Sequence, residues 1–446
     1  MTTDLPNLPN RARLPRRRVL RLAWLGAALS VLAVPAQAQL RLPSITVPTL
    51  PTLTQRPLNA PLLDALNAAV PLQELRTNTV RELLRRNPDT LEADPAGEPM
   101  RRRELVLVSP PQATVDAALA AGFSVLRVQS LAELDLRQVV VRVPAGMGTA
   151  QALARLRLID PQLQVDFNHL YTRSGEATMP GREGTENAPA AFRRVGLIDG
   201  GVDRRHRALS GARTQVWGCG GESVPSPHGT AVASLLVGRD AAFAGALPES
   251  TLYAADVYCE QPTGGAADEM VKALAWMARE RVAVVNISLV GPANRLLEQA
   301  VQAMVRKGHL IVAAVGNDGP AAPPLYPASY AGVVGVTGVT PARRALPEAA
   351  QGPQVMFAAP GAELAVARPD GGYVSARGTS FAAPVAAGLL AERLTSPDPI
   401  AASAALAFLA QSAQDLGAPG RDPVFGFGLV GESARIAPER VHAQAR

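Results

Sequence analysis

The stretch Val195-Gly196-Leu197-Ile198-Asp199-Gly200-Gly201-Val202-Asp203 decides the fold. It is an apolar run with a carboxylate at its end and two glycines behind it. A run without polar alternation reads as a strand buried on both faces, the kind found in parallel sheets under helices. In such sheets ligands gather at the carboxyl ends of the strands, where Asp199 would stand. Taken alone, a turn aspartate capping the next element explains the residue better. Outward from it, the strand Arg194–Asp199 is followed by more of its kind: Thr251–Tyr258, Val282–Ser288, Leu310–Val315, Val333–Val339 and Gln354–Ala358. Helices near His228–Val237, Asp268–Arg279, Asn294–Arg306 and Ser380–Arg393 separate them. The alternation predicts an α/β unit, a parallel sheet covered by helices on both faces.

Two further segments of this unit carry polar residues where core is expected. His228-Gly229-Thr230-Ala231-Val232-Ala233-Ser234 opens an apolar helix with a histidine. Arg377-Gly378-Thr379-Ser380-Phe381-Ala382-Ala383-Pro384 puts a serine at a helix N-terminus, with Pro384 expected inside the first turn, where proline is tolerated. Each has a plain structural account, a core histidine and an N-cap serine. With Asp199 they supply a nucleophile, a base to take its proton and a carboxylate to hold the imidazole. The chain order Asp, His, Ser is that of subtilisin, not of chymotrypsin or the α/β-hydrolases. On these residues the chain from Phe192 to Val430 resembles the subtilisin-like serine proteases, the subtilases: IDGGVD, HGTAVAS and RGTSFAAP look like the family's Asp, His and Ser boxes.

The resemblance implies more. Val315-Gly316-Asn317-Asp318-Gly319 stands where subtilases carry the oxyanion-hole asparagine, which makes Asn317 a fourth catalytic residue and Gly316 its neighbour in the substrate cleft. Ser288-Leu289-Val290-Gly291 corresponds to the backbone segment that pairs with substrate and walls the S1 pocket. Two positions depart from the family's pattern. Gly200 replaces the usual Ser or Thr after the catalytic Asp, and Val290 stands where Gly is common. No Asp/Asn-rich loop resembles a strong calcium site, so neither a metal nor a cofactor is expected. His169, His206, His309 and His442 have no comparable setting and read as structural or exposed.

The N-terminal part is of a different kind. Glu104–Ser109, Gln112–Ala121, Ser124–Gln129, Gln138–Val143, Thr149–Leu158 and Leu163–Leu170 read as β-α-β-β-α-β, a small ferredoxin-like α+β unit over 103–171. It has no paired carboxylates and no clustered histidines. In subtilases a unit of this topology is a pro-domain that assists folding and inhibits the enzyme; Val165–Tyr171 resembles its last strand. Residues 172–190 are polar, Gly- and Pro-bearing and read as a linker to the peptidase unit, 191–446. Activation is expected after Tyr171, with its ring in S1; Arg173 and Arg182 compete as sites for a trypsin-like partner. Before the small unit, 39–102 read as a Pro-punctuated tether and then a helical segment near 61–86.

Composition bounds the rest. The chain has 446 residues, 47% hydrophobic, too apolar for a mostly disordered protein. Its formal charge is +6, but residues 1–38 hold six Arg and one Asp, a net of +5, which leaves +1 and little support for nucleic-acid binding. Those residues read as a signal peptide: arginines, an apolar run Leu22–Val34 and Ala36-Gln37-Ala38 in the A-x-A arrangement. Thirteen apolar residues reach about 20 Å, short of a bilayer's ~30 Å, so no membrane span is expected after cleavage. The two cysteines, Cys219 and Cys259, are one disulfide or two buried thiols; export favours the bond. The expected protein is an exported endopeptidase, periplasmic or extracellular, acting on proteins or peptides and held by its own pro-domain. An inactive binding protein on the same fold and a self-processing maturation module are the rival readings.

Overall fold

The computed structural model describes residues 76–173, 175–178, 193–261, 263–369 and 371–443. The expected signal peptide, the tether and most of the linker, Arg182 included, lie outside them. Of the helical segment near 61–86, the described part is a helix over 76–86 (α1).

The small unit runs β1 (Leu91–Ala93), β2 (Pro99–Val108), α2 (Gln112–Ala120), β3 (Ser124–Leu131), β4 (Leu136–Arg142), α3 (Thr149–Ile159) and β5 (Gln164–His169). β2 lies between β5 and β4, β3 is outside β4, and all pairs are antiparallel. The β-α-β-β-α-β order is therefore the observed one. Its first strand starts before residue 103, because Arg101 and Arg103 extend β2 with their heads satisfied by the carbonyls of Thr263, Val143 and Pro144. Pleating explains why β2 and β4 are apolar at every step. Leu105, Leu107, Val139 and Val141 face α2 and α3, while Val106, Val108 and Val140 join the cluster around the helices of the large sheet.

The large unit is built on a seven-stranded parallel sheet. Its strands are β8 (Arg194–Asp199), β9 (Arg213–Trp217), β10 (Thr251–Asp256), β11 (Val284–Ile287), β13 (Leu310–Ala314), β14 (Val334–Val339) and β15 (Val355–Pro360). The order is β15-β14-β13-β11-β8-β10-β9. The chain begins at β8, builds to one edge, then crosses β8 to β11 and builds to the other. The switch in direction lies between β8 and β11, where open α/β sheets form their ligand crevice. Helices α4 (Pro227–Val237), α5 (Ala267–Arg279), α6 (Arg295–Arg306), α7 (Thr379–Arg393) and α8 (Pro399–Ser412) cover the faces. α4 and α7 belong to one apolar cluster, α5 and α6 to the other. Sequence reading missed β9, whose residues alternate in burial at an edge, and α8, whose alanine-rich run has a weak apolar stripe. It also missed the hairpin β16 (Leu364–Ala367) and β17 (Tyr373–Arg377).

The small sheet docks on α5 and α6 through apolar and polar contacts. At its centre Asp268, fully buried in the first turn of α5, receives Arg127 at 2.9 Å and Asn168 at 3.1 Å; Arg127 and Asn168 both also reach Glu104. Burial pushes the Asp268 carboxyl up, but Arg101, Arg127, Lys272 and the Asn168 amide outweigh it and hold it below its ordinary value. A carboxyl lowered in the folded state stabilises above its unfolded pKa, and that stabilisation is lost as pH falls through the folded value. Asp268→Asn, in a Ser380→Ala background, should cost about 2–3 kcal/mol at pH 7, less than the ~3–5 of a fully buried pair because Arg127 reaches solvent. The deficit should shrink below about pH 4; urea midpoints at pH 7 and pH 3 measure it, and a pH-independent deficit would contradict the assignment.

Candidate active site

Asp199 closes β8 and is fully buried. Its Oδ1 accepts the Gly200 amide at 2.7 Å, and both carboxylate oxygens lie 2.9 Å from Nδ1 of His228. His228 is the second residue of α4. Ser226 caps that helix by accepting the Gly229 amide at 3.0 Å, and Pro227 supplies the preset first helical φ. The helix comes so close to the strand end that a Cβ on Gly229 would lie 2.2 Å from the Gly200 carbonyl. Glycine there is what lets the imidazole meet the carboxylate.

Ser380 sits in the first turn of α7, behind Gly378, whose φ of +137° excludes ordinary side chains. The neighbouring Phe381 ring packs on the His228 ring, centroids 5.5 Å apart. Pro384 is the sixth residue of the helix, not in its first turn as expected. Having no N–H, it cannot bond the carbonyl four residues earlier, which belongs to Ser380. The Ser288 hydroxyl fills that role, donating to the Ser380 carbonyl at 2.8 Å, and is itself held by Asn286 Nδ2 at 2.9 Å. The residue expected only to line the cleft thus also fixes the backbone of the serine.

Asn317 follows β13. Its Oδ1 accepts the Thr379 amide at 3.0 Å, while the Thr379 hydroxyl accepts the Gly316 amide at 3.2 Å, so the loop after β13 is tied to the start of α7. Among the described residues Asn317 Nδ2, His228 Nε2 and Ser380 Oγ are buried without a hydrogen-bond partner. Three such groups would be costly in a core. Here they are a donor, a base and a hydroxyl near the carboxyl edge of one sheet. Such a set can take a proton from the hydroxyl and stabilise a developing oxyanion. Of the other histidines, His169 contacts Asp94, His206 the Gly372 carbonyl and His309 the Val282 carbonyl; the side chain of His442 is not described.

The described start of the segment read as a linker, residues 172–173 and 175–178, is seated in the cleft. Leu170 bridges Ala266, the Tyr171 amide donates to Gly265 O at 2.9 Å, and β6 (Thr172–Arg173) pairs antiparallel with β12 (Leu289–Val290). Gly175 lies over Ser380: a Cβ on it would be 2.5 Å from Ser380 Oγ. β7 (Glu176–Thr178) then pairs antiparallel with β17, which leads into Gly378. These strands carry no pattern of their own and exist because open edges receive them. The Tyr171 ring is fully buried against Gly291, its hydroxyl donating to Pro292 O at 2.9 Å. That position is four residues before Gly175, so Tyr171 is not beside the serine and the expected cut after it is corrected. Burial raises its phenol well above the ordinary value.

Expected cleft residues are thus placed: Leu289 and Val290 on the chain's own strand, Gly291 under Tyr171, Ser288 behind Ser380, Gly316 beside Thr379. Tyr258 was not foreseen; its hydroxyl donates to Tyr171 O at 2.6 Å. The Gly264-Gly265 pair soon after a strand was the available signal for this wall of the cleft. Next to it Cys219 and Cys259 form a disulfide, Cα atoms 5.3 Å apart, joining the loop before α4 to the end of β10. On the opposite side Arg76 of α1 contacts Asp318, the neighbour of Asn317, at 3.3 Å.

Removing the hydroxyl from Ser288 leaves the Ser380 carbonyl without its donor. Ser288→Ala should lower kcat about three- to tenfold with KM for short peptides nearly unchanged, the worth of one hydrogen bond. An unaltered kcat, measured with a chromogenic peptide, would remove Ser288 from this positioning role.

Residues 193–428 match the profile of Peptidase S8, the Subtilase family. The minor extracellular protease Epr of Bacillus subtilis is 30% identical over 257 residues, 56% of this chain and 39% of that one. Subtilisin DY of Bacillus licheniformis is 31% identical over 232 residues, 50% of this chain and 84% of the other. The chain thus spans well under half the length of Epr but most of the shorter subtilisin. The crystal structure of fervidolysin from Fervidobacterium pennivorans, a keratinolytic enzyme related to subtilisin, superposes with a TM-score of 0.60 at 18% identity, covering 79% of this chain and 62% of that one. At that identity the likeness concerns the fold alone. Among the described residues no helix is long and apolar enough to cross a membrane.

Proposed function

The chain belongs to the subtilase family of serine-type endopeptidases, and from that premise we propose that Ser380, His228, Asp199 and Asn317 are its catalytic residues. Ser380 Oγ attacks the carbonyl carbon of the scissile bond while His228 Nε2 takes the hydroxyl proton. Asp199 holds the imidazole by Nδ1 and balances the charge it acquires. Asn317 Nδ2 and the Ser380 amide receive the carbonyl oxygen as it becomes an oxyanion. His228 then gives the proton to the leaving amine, and a water, activated by the same nitrogen, releases the acyl group from Ser380. The observation that carries this reading is that Asp199 holds Nδ1 of His228 while Nε2 of that ring, Ser380 Oγ and Asn317 Nδ2 are each buried without a partner.

The substrate is an extended protein or peptide chain that adds a strand to the cleft by main-chain hydrogen bonds. The first such chain is the enzyme's own. In this reading the small unit is the intramolecular inhibitor, residues 170–173 and 175–178 occupy the two sides of the cleft, and the bond entering Gly175 is cut first. Export into the periplasm or medium is part of the proposal. The leader sequence and the Cys219–Cys259 bond support it. A narrower reading, in which self-cleavage is the whole activity, is favoured by the same seated strand.

One experiment separates these. The full chain is expressed with and without Ser380→Ala, the product N-terminus is sequenced, and an unrelated protein substrate is offered. Processing to an N-terminus at Gly175 that depends on Ser380, with digestion of the unrelated protein, is expected. Processing unaffected by Ser380→Ala overturns the catalytic assignment. Asn317→Ala should keep KM and lower kcat by about 10²–10³, the size known for loss of one oxyanion donor in subtilisin. A loss under about threefold would exclude Asn317 as that donor.

A further inference from the structure

The seated segment presents one side chain to the cleft in a manner that the fold does not require. Arg173 pairs in register with Leu289, and Gly175 lies over Ser380 Oγ. Arg173 is thus the second residue before the bond proposed to be cut. Its guanidinium carbon stands 4.4 Å from the centroid of the Tyr258 ring. On its other side, Nη2 lies so near Gly200 that a Cβ there would be 2.6 Å from it. The side chain therefore occupies a slot with an aromatic face as one wall and a bare glycine as the other. Gly200 is the departure from the family's usual Ser or Thr after the catalytic Asp. Any side chain there would enter the space that the guanidinium uses, and would also press on Ser226 Oγ at 2.5 Å.

The charges near the slot have the matching sign. Asp199 and Asp256 end neighbouring strands in register, and both are buried. The phenol of Tyr258 registers the three charges. Burial raises it most, Arg173 opposes, and Asp199 and Asp256 add to the rise. Arg173 is exposed along part of its length, and a planar cation over the ring face gains cation–π attraction with two buried carboxylates in the same neighbourhood. A small or apolar side chain would not gain it.

We propose that the slot between Tyr258 and Gly200 is a specificity subsite for arginine two residues before the cleaved bond. It makes peptides and proteins with a planar cation at that position the preferred substrates. The inference rests on the reading of Ser380 as nucleophile and of the seated strand as substrate-like. It adds a side-chain preference to the main-chain recognition already described.

The test uses the full-length chain, incubated until its own processing is complete, and four chromogenic peptides differing only at that position: Arg, Lys, citrulline and Ala. Arg should exceed Ala in kcat/KM by about three- to fivefold. Citrulline, which keeps the shape without the charge, should fall near Ala. Tyr258→Phe keeps the ring and loses the bond to the backbone, so it should slow all four peptides and preserve the Arg-to-Ala ratio. Tyr258→Leu should bring that ratio below about twofold. A ratio near one in the unaltered protein, with the Ala peptide cut, overturns the subsite and leaves the protease reading standing. So does a ratio that Tyr258→Leu leaves unchanged. If no peptide is cut and a fluorophosphonate does not label Ser380, the protease reading falls and the subsite with it.

Discussion

A carboxylate that sees no solvent must be surrounded by donors, and Asp199 is such a group. Much of the large unit is arranged to meet that need. The sheet places the residue at the carboxyl end of a strand near its middle, at the switch in strand order. The turn supplies the Gly200 amide, and the second donor has to come from another element, the N-terminal turn of α4. For that turn to arrive, Gly229 must have no side chain, Ser226 must cap the helix, and Pro227 must set its first residue. The chemistry proposed for His228 is thus an outcome of satisfying a buried acid. The imidazole spends Nδ1 on the carboxylate, which leaves Nε2 as the nitrogen that can work.

The same economy applies at α7. Proline inside a helix removes one N–H and orphans one carbonyl, and at Pro384 the orphan is the carbonyl of Ser380. A side-chain hydroxyl, Ser288, takes up the bond from the loop after β11. The serine is then held by an element of the central sheet instead of by its own helix. Thr379, one residue earlier, is tied to Asn317 and Gly316 in the loop after β13. Loops after three strands, β8, β11 and β13, are thereby locked to the first turns of two helices. Preorganisation of this kind is what oxyanion catalysis requires, because donors that must move at the moment of reaction give back what they stabilise.

What could be read from the sequence follows from which forces are local. Strands of the parallel sheet are apolar at every position because both faces are covered, so Arg194–Asp199 and Leu310–Ala314 were legible to within a residue or two. Asp199, His228, Asn317 and Ser380 stand out as candidates because four polar residues interrupt apolar elements at spacings that resemble one family. The described start of the linker was read as free chain for the opposite reason. Thr172–Arg173 and Glu176–Thr178 have no pattern of their own, and their conformation belongs to the edges they meet. The place of Tyr171 was misjudged on the same account. Its large ring suggested the pocket at the reacting bond, but register along β12, not side-chain size, decides which residue reaches Ser380. Tyr258 shows the limit again, since its partner in space is 87 residues earlier in the chain.

Register also bears on how long the small unit would stay after a cut. Breaking the bond entering Gly175 removes one covalent link and none of the contacts before it. Tyr171 would remain buried against Gly291, with its amide and carbonyl paired to Gly265 and Tyr258. Behind it the small sheet would still cover α5 and α6, with Arg127 and Asn168 on Asp268. The new carboxyl terminus is then one end of a two-point attachment, and its local concentration at the cleft is set by the docked sheet, not by the solution. For that reason the cut would be followed by a separate release step, whose rate is set by the docked sheet. Release needs the docking surface to fail, and its titratable contacts are the ion network at Asp268, the pairs of Lys307 with Asp135 and Arg279 with Glu133, and His169 beside Asn294. These polar contacts are therefore the part of the interface that a change of pH acts on directly, while the apolar part resists it.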